Sequence, residues 1–139
     1  MKHRMSIACL LTAAAATLLG GSYAFSQAKV DDWTAPERAA RKKNPITSDA
    51  ASIGAGKGVY AHNCLPCHGP AGKGDGPSAA TSGIVPRDLS KPVIVQQTDG
   101  ALFWKISEGR RPMPEFETQL PEDERWKVVI YIRTLQEKK

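Results

Sequence analysis

"NCLPCHGPAGKGDGP", residues 63–77, packs two cysteines and a histidine into five positions and follows them with glycines. Three chemistries use cysteines this close. A disulfide pair of thioredoxin type gives His68 no task and needs a strand–helix context that the flanking sequence lacks. A structural zinc ion takes four ligands, and here only His62, Cys64, Cys67 and His68 are at hand, crowded into a turn or two. Covalent haem attachment uses the whole pattern, Cys-x-x-Cys-His. Two thiols at a short fixed separation can add to the two vinyl groups on neighbouring pyrroles. A histidine directly after the second thiol then falls under the iron. Cys64, Cys67 and His68 therefore point to one covalent haem c, with its iron, as cofactor.

The start of the chain supports that chemistry. Lys2 and Arg4 precede an apolar run from Ile7 to Leu19, and small residues follow at Ala24 to Ala28. This is the layout of a secretory signal over residues 1–28. The apolar run falls short of the roughly 20 residues that a membrane span needs. The expected mature protein is exported to the periplasm and has no membrane span. Cys9 leaves with the signal, so Cys64 and Cys67 become the only thiols. The formal charge of +5 becomes about +3, because two bases and no acid are removed. That mild surplus lacks the dense basic stripe of a nucleic-acid binder. With 139 residues in all, there is room for one small domain, whose core a prosthetic group would help to complete.

No strand-like alternation or repeat occurs, and the fold expected is all-α. Residues 29–50 mix charges with Pro36 and Pro45 and show no apolar face, so they read as an extended tail anchored only by Trp33. The domain proper is expected over 51–139. A first helix spans about 52–63, starting near Asp49 or Ser52. Its Gly54, Gly56 and Gly58 each cost about 1 kcal/mol relative to alanine, which is understandable if another helix approaches closely at Gly56. Residues 69–97 read as loop with one short turn. A second helix is expected over 99–108, capped by Thr98 or Asp99 and stopped by Gly109. A third runs from about Pro121 to Gln136, opened by acids, followed by Lys138 and Lys139, and apolar on most sides. "GAGKG" (54–58) is no phosphate loop, since Ala51 and Gly58 stand where that motif needs Gly and Ser or Thr.

Met113 is the one methionine left after signal removal, and Pro112 and Pro114 hold it in a loop outside any helical stripe. A thioether opposite histidine raises the potential of haem iron, so Met113 is the candidate sixth ligand. His62 is the rival. It shares a helix with the attachment site and cannot reach the opposite haem face.

Three blocks, "GKGVYAHNCLPCHGPAGKGDGP", "TDGALFWKISEGRRPMPEF" and "LPEDERWKVVIYIRTL", resemble a bacterial class I (mono-haem) cytochrome c across residues 51–139. The resemblance implies three main helices and loops around the haem, with the first and last helices crossing. It implies that Gly56 and Tyr60 meet the last helix, which carries Trp126 and Tyr131 at the family's aromatic positions. It also implies Met113 as axial ligand, and a Pro77 carbonyl that accepts a hydrogen bond from the second nitrogen of His68. Such a bond would fix the histidine tautomer. The 29–50 segment lies outside the family pattern.

With both axial positions filled by protein, the iron has no open site. The expected function is therefore single-electron transfer between redox partners rather than catalysis, either as a free shuttle or as a subunit of a dehydrogenase or oxidase complex. The alternative is a haem enzyme or a gas or redox sensor with a labile sixth ligand. Leu89, Leu102, Trp104, Ile106, Phe116 and Ile130 are candidates to enclose the ring. Lys73, Arg87, Lys105, Arg110 and Arg111 are candidates to steer a partner with an acidic docking face.

Overall fold

The computed structural model describes residues 33–136. The signal segment, residues 29–32 of the expected tail, and the two terminal lysines lie outside the described residues. Within them the chain forms α1 (Glu37–Ala40), α2 (Ala50–Asn63), α3 (Leu65–His68), α4 (Pro77–Ser82), α5 (Pro92–Val95), α6 (Asp99–Glu108) and α7 (Glu122–Gln136). The all-α expectation holds, and pairing of the strand type is confined to an isolated bridge between Arg110 and Met113 among the described residues.

Local chemistry sets the helix ends. Asp49 accepts the Ser52 amide at 2.7 Å while the Ser52 hydroxyl accepts the Asp49 amide at 3.0 Å, a reciprocal capping box. The Ser52 amide holds the Asp49 carboxyl below its ordinary pKa, so this cap is intact above that value and weakens as the pH falls through the lowered one. Thr98 caps α6 by accepting from the Ala101 amide at 3.1 Å, and Gly109 ends it with φ +63°. The segment 69–97, read as loop with one turn, holds two short helices, each begun by a proline at its first position.

Packing centres on α2 against α7. Of the three glycines on α2, only Gly56 is pressed: a Cβ there would lie 2.1 Å from the Lys127 carbonyl oxygen, whereas Gly54 and Gly58 face open space. Tyr60 is 1% exposed, and its ring lies 5.1 Å from that of Tyr131. As expected, α7 is buried on more than one face, through Trp126, Val128, Val129, Ile130, Ile132 and Leu135. The acidic start of α7 gave no hint that Arg125 is buried as well. Its guanidinium lies over the Phe103 ring at 4.9 Å and donates to Ser107 Oγ.

Residues 33–50 correct the reading of an extended tail. Ala35 is buried, α1 packs on α6, and Thr98 Oγ1 donates to the Ala40 carbonyl at 2.6 Å. The backbone presses so closely that a Cβ on Gly100 would meet the Ala39 carbonyl at 2.3 Å. Asn44 Nδ2 donates to the Trp126 carbonyl at 3.2 Å, and Ile46 packs against the core. The contacts run largely through backbone carbonyls, which leave no periodic apolar signature in the sequence.

Candidate functional site

The attachment motif sits on one helical turn because α2 does not stop cleanly. Cys64 is at once the C-cap of α2 and the N-cap of α3, its amide still bonded to the Tyr60 carbonyl at 2.9 Å. The Cys67 and His68 amides both return to the Cys64 carbonyl, at 3.1 and 2.8 Å. The two thiols and the imidazole are thus held within a single turn. The glycines beyond it close the loop: Gly69, Gly72 and Gly74 take positive φ, which bends the chain back so that the Gly74 amide bonds the His68 carbonyl and the Gly76 amide that of Cys67. Tyr60 Oη, buried, donates to the Gly69 carbonyl at 2.8 Å and ties this loop to α2.

Cys64 and Cys67 are each half-buried. Burial, and then the neighbouring Cys67, push the Cys64 thiol up to about 12. A redox-active Cys-x-x-Cys pair depends on a lowered thiol pKa, so the shift runs against the thioredoxin-type reading. Among the described residues no group of three or more His, Cys, Asp or Glu is placed to hold a metal ion.

His68 Nδ1 lies 3.3 Å from the Arg87 carbonyl oxygen. A carbonyl only accepts, so Nδ1 carries the proton and Nε2 keeps its lone pair. Burial lowers the His68 pKa, opposed by the Arg87 carbonyl, and favours the neutral imidazole that ligates metals. This corrects the expectation for Pro77. That proline is exposed at the start of α4, where its carbonyl receives Thr81 Oγ1 at 3.2 Å. Arg87 supplies the second-nitrogen partner through its main chain, an acceptor common to every residue and therefore unmarked in the sequence.

Met113 stands in the turn after α6. The Arg110 amide bonds the Met113 carbonyl at 3.0 Å and the Met113 amide returns to the Arg110 carbonyl at 2.9 Å. The Met113 loop borders a cavity of about 1100 Å³ that Gly109, Pro112, Pro114 and Gln119 also line. Cys64, Leu65 and Met113, half-buried, pack against the same core cluster, which contains Leu89, Leu102, Ile106 and Phe116. Of the residues expected to enclose the ring, these four and Ile130 are buried, while Trp104 is half-buried. His62 is exposed on α2. The donor set fits haem: two neighbouring thiols, an imidazole with a free Nε2, and a thioether on the same core.

An all-helical domain built around such a turn defines a c-type cytochrome. Residues 51–132 match the family described as cytochrome c oxidase, cbb3-type, subunit III, and the chain belongs to that family. No curated protein matches it. Among solved structures it is similar to a chain of the reducing HAO-like protein complex of Kuenenia stuttgartiensis, at 30% identity and a TM-score of 0.56. That match covers 66% of this chain and 46% of the other, so the likeness spans less than half of the larger protein. The chain is accordingly a cytochrome, of a family that binds haem c and its iron covalently. Among the described residues no helix is long and apolar enough to cross a membrane.

Proposed function

We propose that this protein is an exported mono-haem cytochrome in which Cys64 and Cys67 would hold the ring and His68 Nε2 and the Met113 sulfur would bind its iron. Each thiol would be joined to the ring by adding across a vinyl group, sulfur to one carbon and hydrogen to the other, with no net oxidation. The haem then supplies a one-electron couple. The single turn that carries both thiols and a neutral imidazole, with Nδ1 anchored on the Arg87 carbonyl, is the observation that carries the reading. The anchored ring orients Nε2 and resists rotation. Buried apolar side chains around the cluster exclude water and favour the less charged ferrous state. Export follows from the signal-like residues 1–28 and from the covalent attachment chemistry.

Met113→Ala tests the axial assignment. The oxidised wild type is expected to show the weak sulfur-to-iron band at the red end of the spectrum. The variant is expected to lose it, to bind carbon monoxide readily when reduced, and to have a lower potential. A wild type that lacks the band and takes up carbon monoxide freely would instead support a labile-ligand enzyme or sensor.

The partners are redox proteins with acidic docking faces, met in solution or within a larger oxidoreductase complex. Lys73, Arg87 and Arg111 are exposed around the two axial loops, and charge of this kind acts chiefly on association rate. Lys73→Glu with Arg111→Glu is expected to slow reduction by the native partner about tenfold at low salt and to flatten its salt dependence. Stopped-flow rates that keep the wild-type salt dependence would disprove this face.

A further inference from the structure

Trp33 lies outside the segment that matches the family, yet it reaches the candidate ligand loop. Its ring faces two cations: Lys105 Nζ of α6 lies 5.3 Å from the ring centroid, and Arg110 Cζ lies 4.8 Å from it. Arg110 is the residue whose amide and carbonyl both bond Met113. The segment behind Trp33 is fixed to the body of the domain by buried Ala35, by α1 against α6, and by the Ala40 carbonyl on Thr98. An unbroken chain of contacts therefore runs from the N-terminal segment through the Trp33 ring to the Met113 turn.

We infer that Trp33 is a positioning residue for the sixth ligand: the N-terminal segment acts as a strap whose indole clamps Arg110, and through it holds the Met113 thioether in place. The indole offers a rigid face of negative potential to two positive side chains, and each such contact is favourable even near the surface. Arg110 is exposed and heads a turn closed by only two backbone bonds. Without the clamp that turn opens more often, and a thioether bound to the iron would have less support from its loop. The clamp's role at the iron rests on the reading of Met113 as ligand, whereas its role in ordering the turn does not.

The test compares Trp33→Ala and Trp33→Phe in the mature holoprotein. Amide hydrogen exchange at Arg110 and Met113 is expected to quicken about tenfold in Trp33→Ala, with Val128 and Val129 in α7 unchanged. The sulfur-to-iron band is expected to be lost at a lower temperature. Trp33→Phe keeps an aromatic face and is expected to recover most of both effects. Unchanged exchange at Met113 would overturn the inference. So would uniform acceleration that includes Val128 and Val129, because Trp33 would then serve general stability alone. If the wild type shows no sulfur-to-iron band, the ligand reading fails by itself, and the exchange at Arg110 and Met113 still decides whether the strap orders the turn.

Discussion

Gly56→Ala is expected to destabilise the holoprotein by about 2–3 kcal/mol, while Gly54→Ala and Gly58→Ala, on the same helix, are each expected to stabilise it by up to about 1 kcal/mol. The contrast follows from what stands opposite each glycine. A methyl group at 56 would lie 2.1 Å from the Lys127 carbonyl oxygen and 2.7 Å from its carbon. Backbone cannot swing aside as a long side chain can, so α2 and α7 must separate. At 54 and 58 no atom lies within 4 Å of the added carbon, and only the gain in helix propensity remains. Urea midpoints for the three variants, read by far-ultraviolet circular dichroism, check the prediction directly. The effect reaches function because α2 ends in the attachment turn. If its crossing with α7 shifts, the Tyr60–Gly69 bond and the turn beyond it shift as well. Stabilisation at 56 matching that at 54 and 58 would show that helix propensity, not close approach, governs this face.

The features that sequence reading recovered are those coded locally. The α6 bounds, its Thr98 cap and its Gly109 stop depend on residues within a few positions of one another, and they were found where the residues put them. The attachment turn was legible because its chemistry needs three reactive side chains at one spacing. Gly56 was legible because three glycines in one helix call for a reason, although the sequence alone did not show that the reason applies to one of them. Two features were not legible, for the same physical cause. The acceptor for His68 is the main-chain carbonyl of Arg87, and the docking of residues 33–50 runs largely through the carbonyls of Ala39, Ala40 and Lys42 and through the Trp126 carbonyl, which accepts from the Asn44 side chain. A carbonyl is common to every residue, so only the fold reveals which one is used. Composition marked 29–50 as polar and proline-broken. That description is accurate, but it does not determine whether such a segment is bound or loose.

Trp126→Ala is expected to carry the largest cost of the substitutions considered, about 3–5 kcal/mol, and to weaken the methionine side of the site before the histidine side. Trp126 is 2% exposed, and its ring stacks on Phe103 with centroids 3.9 Å apart and planes 13° from parallel. Arg125 and Lys42 also lie over that Phe103 ring, at 4.9 and 5.9 Å, so one aromatic on α6 gathers α7 and the N-terminal segment. Removing the indole leaves a void at this junction and loosens α6, the helix from which the Met113 turn departs. The attachment turn depends on a different contact, α2 against α7 at Gly56. Thermal unfolding followed at two wavelengths separates the two regions: the sulfur-to-iron band should vanish several degrees below the main haem transition in Trp126→Ala, and together with it in the wild type. Trp126→Phe retains a stacked ring and should lose about half as much stability. If the band and the haem transition still coincide in Trp126→Ala, the α6–α7 aromatic pair does not control the methionine loop, and the two halves of the site unfold as one.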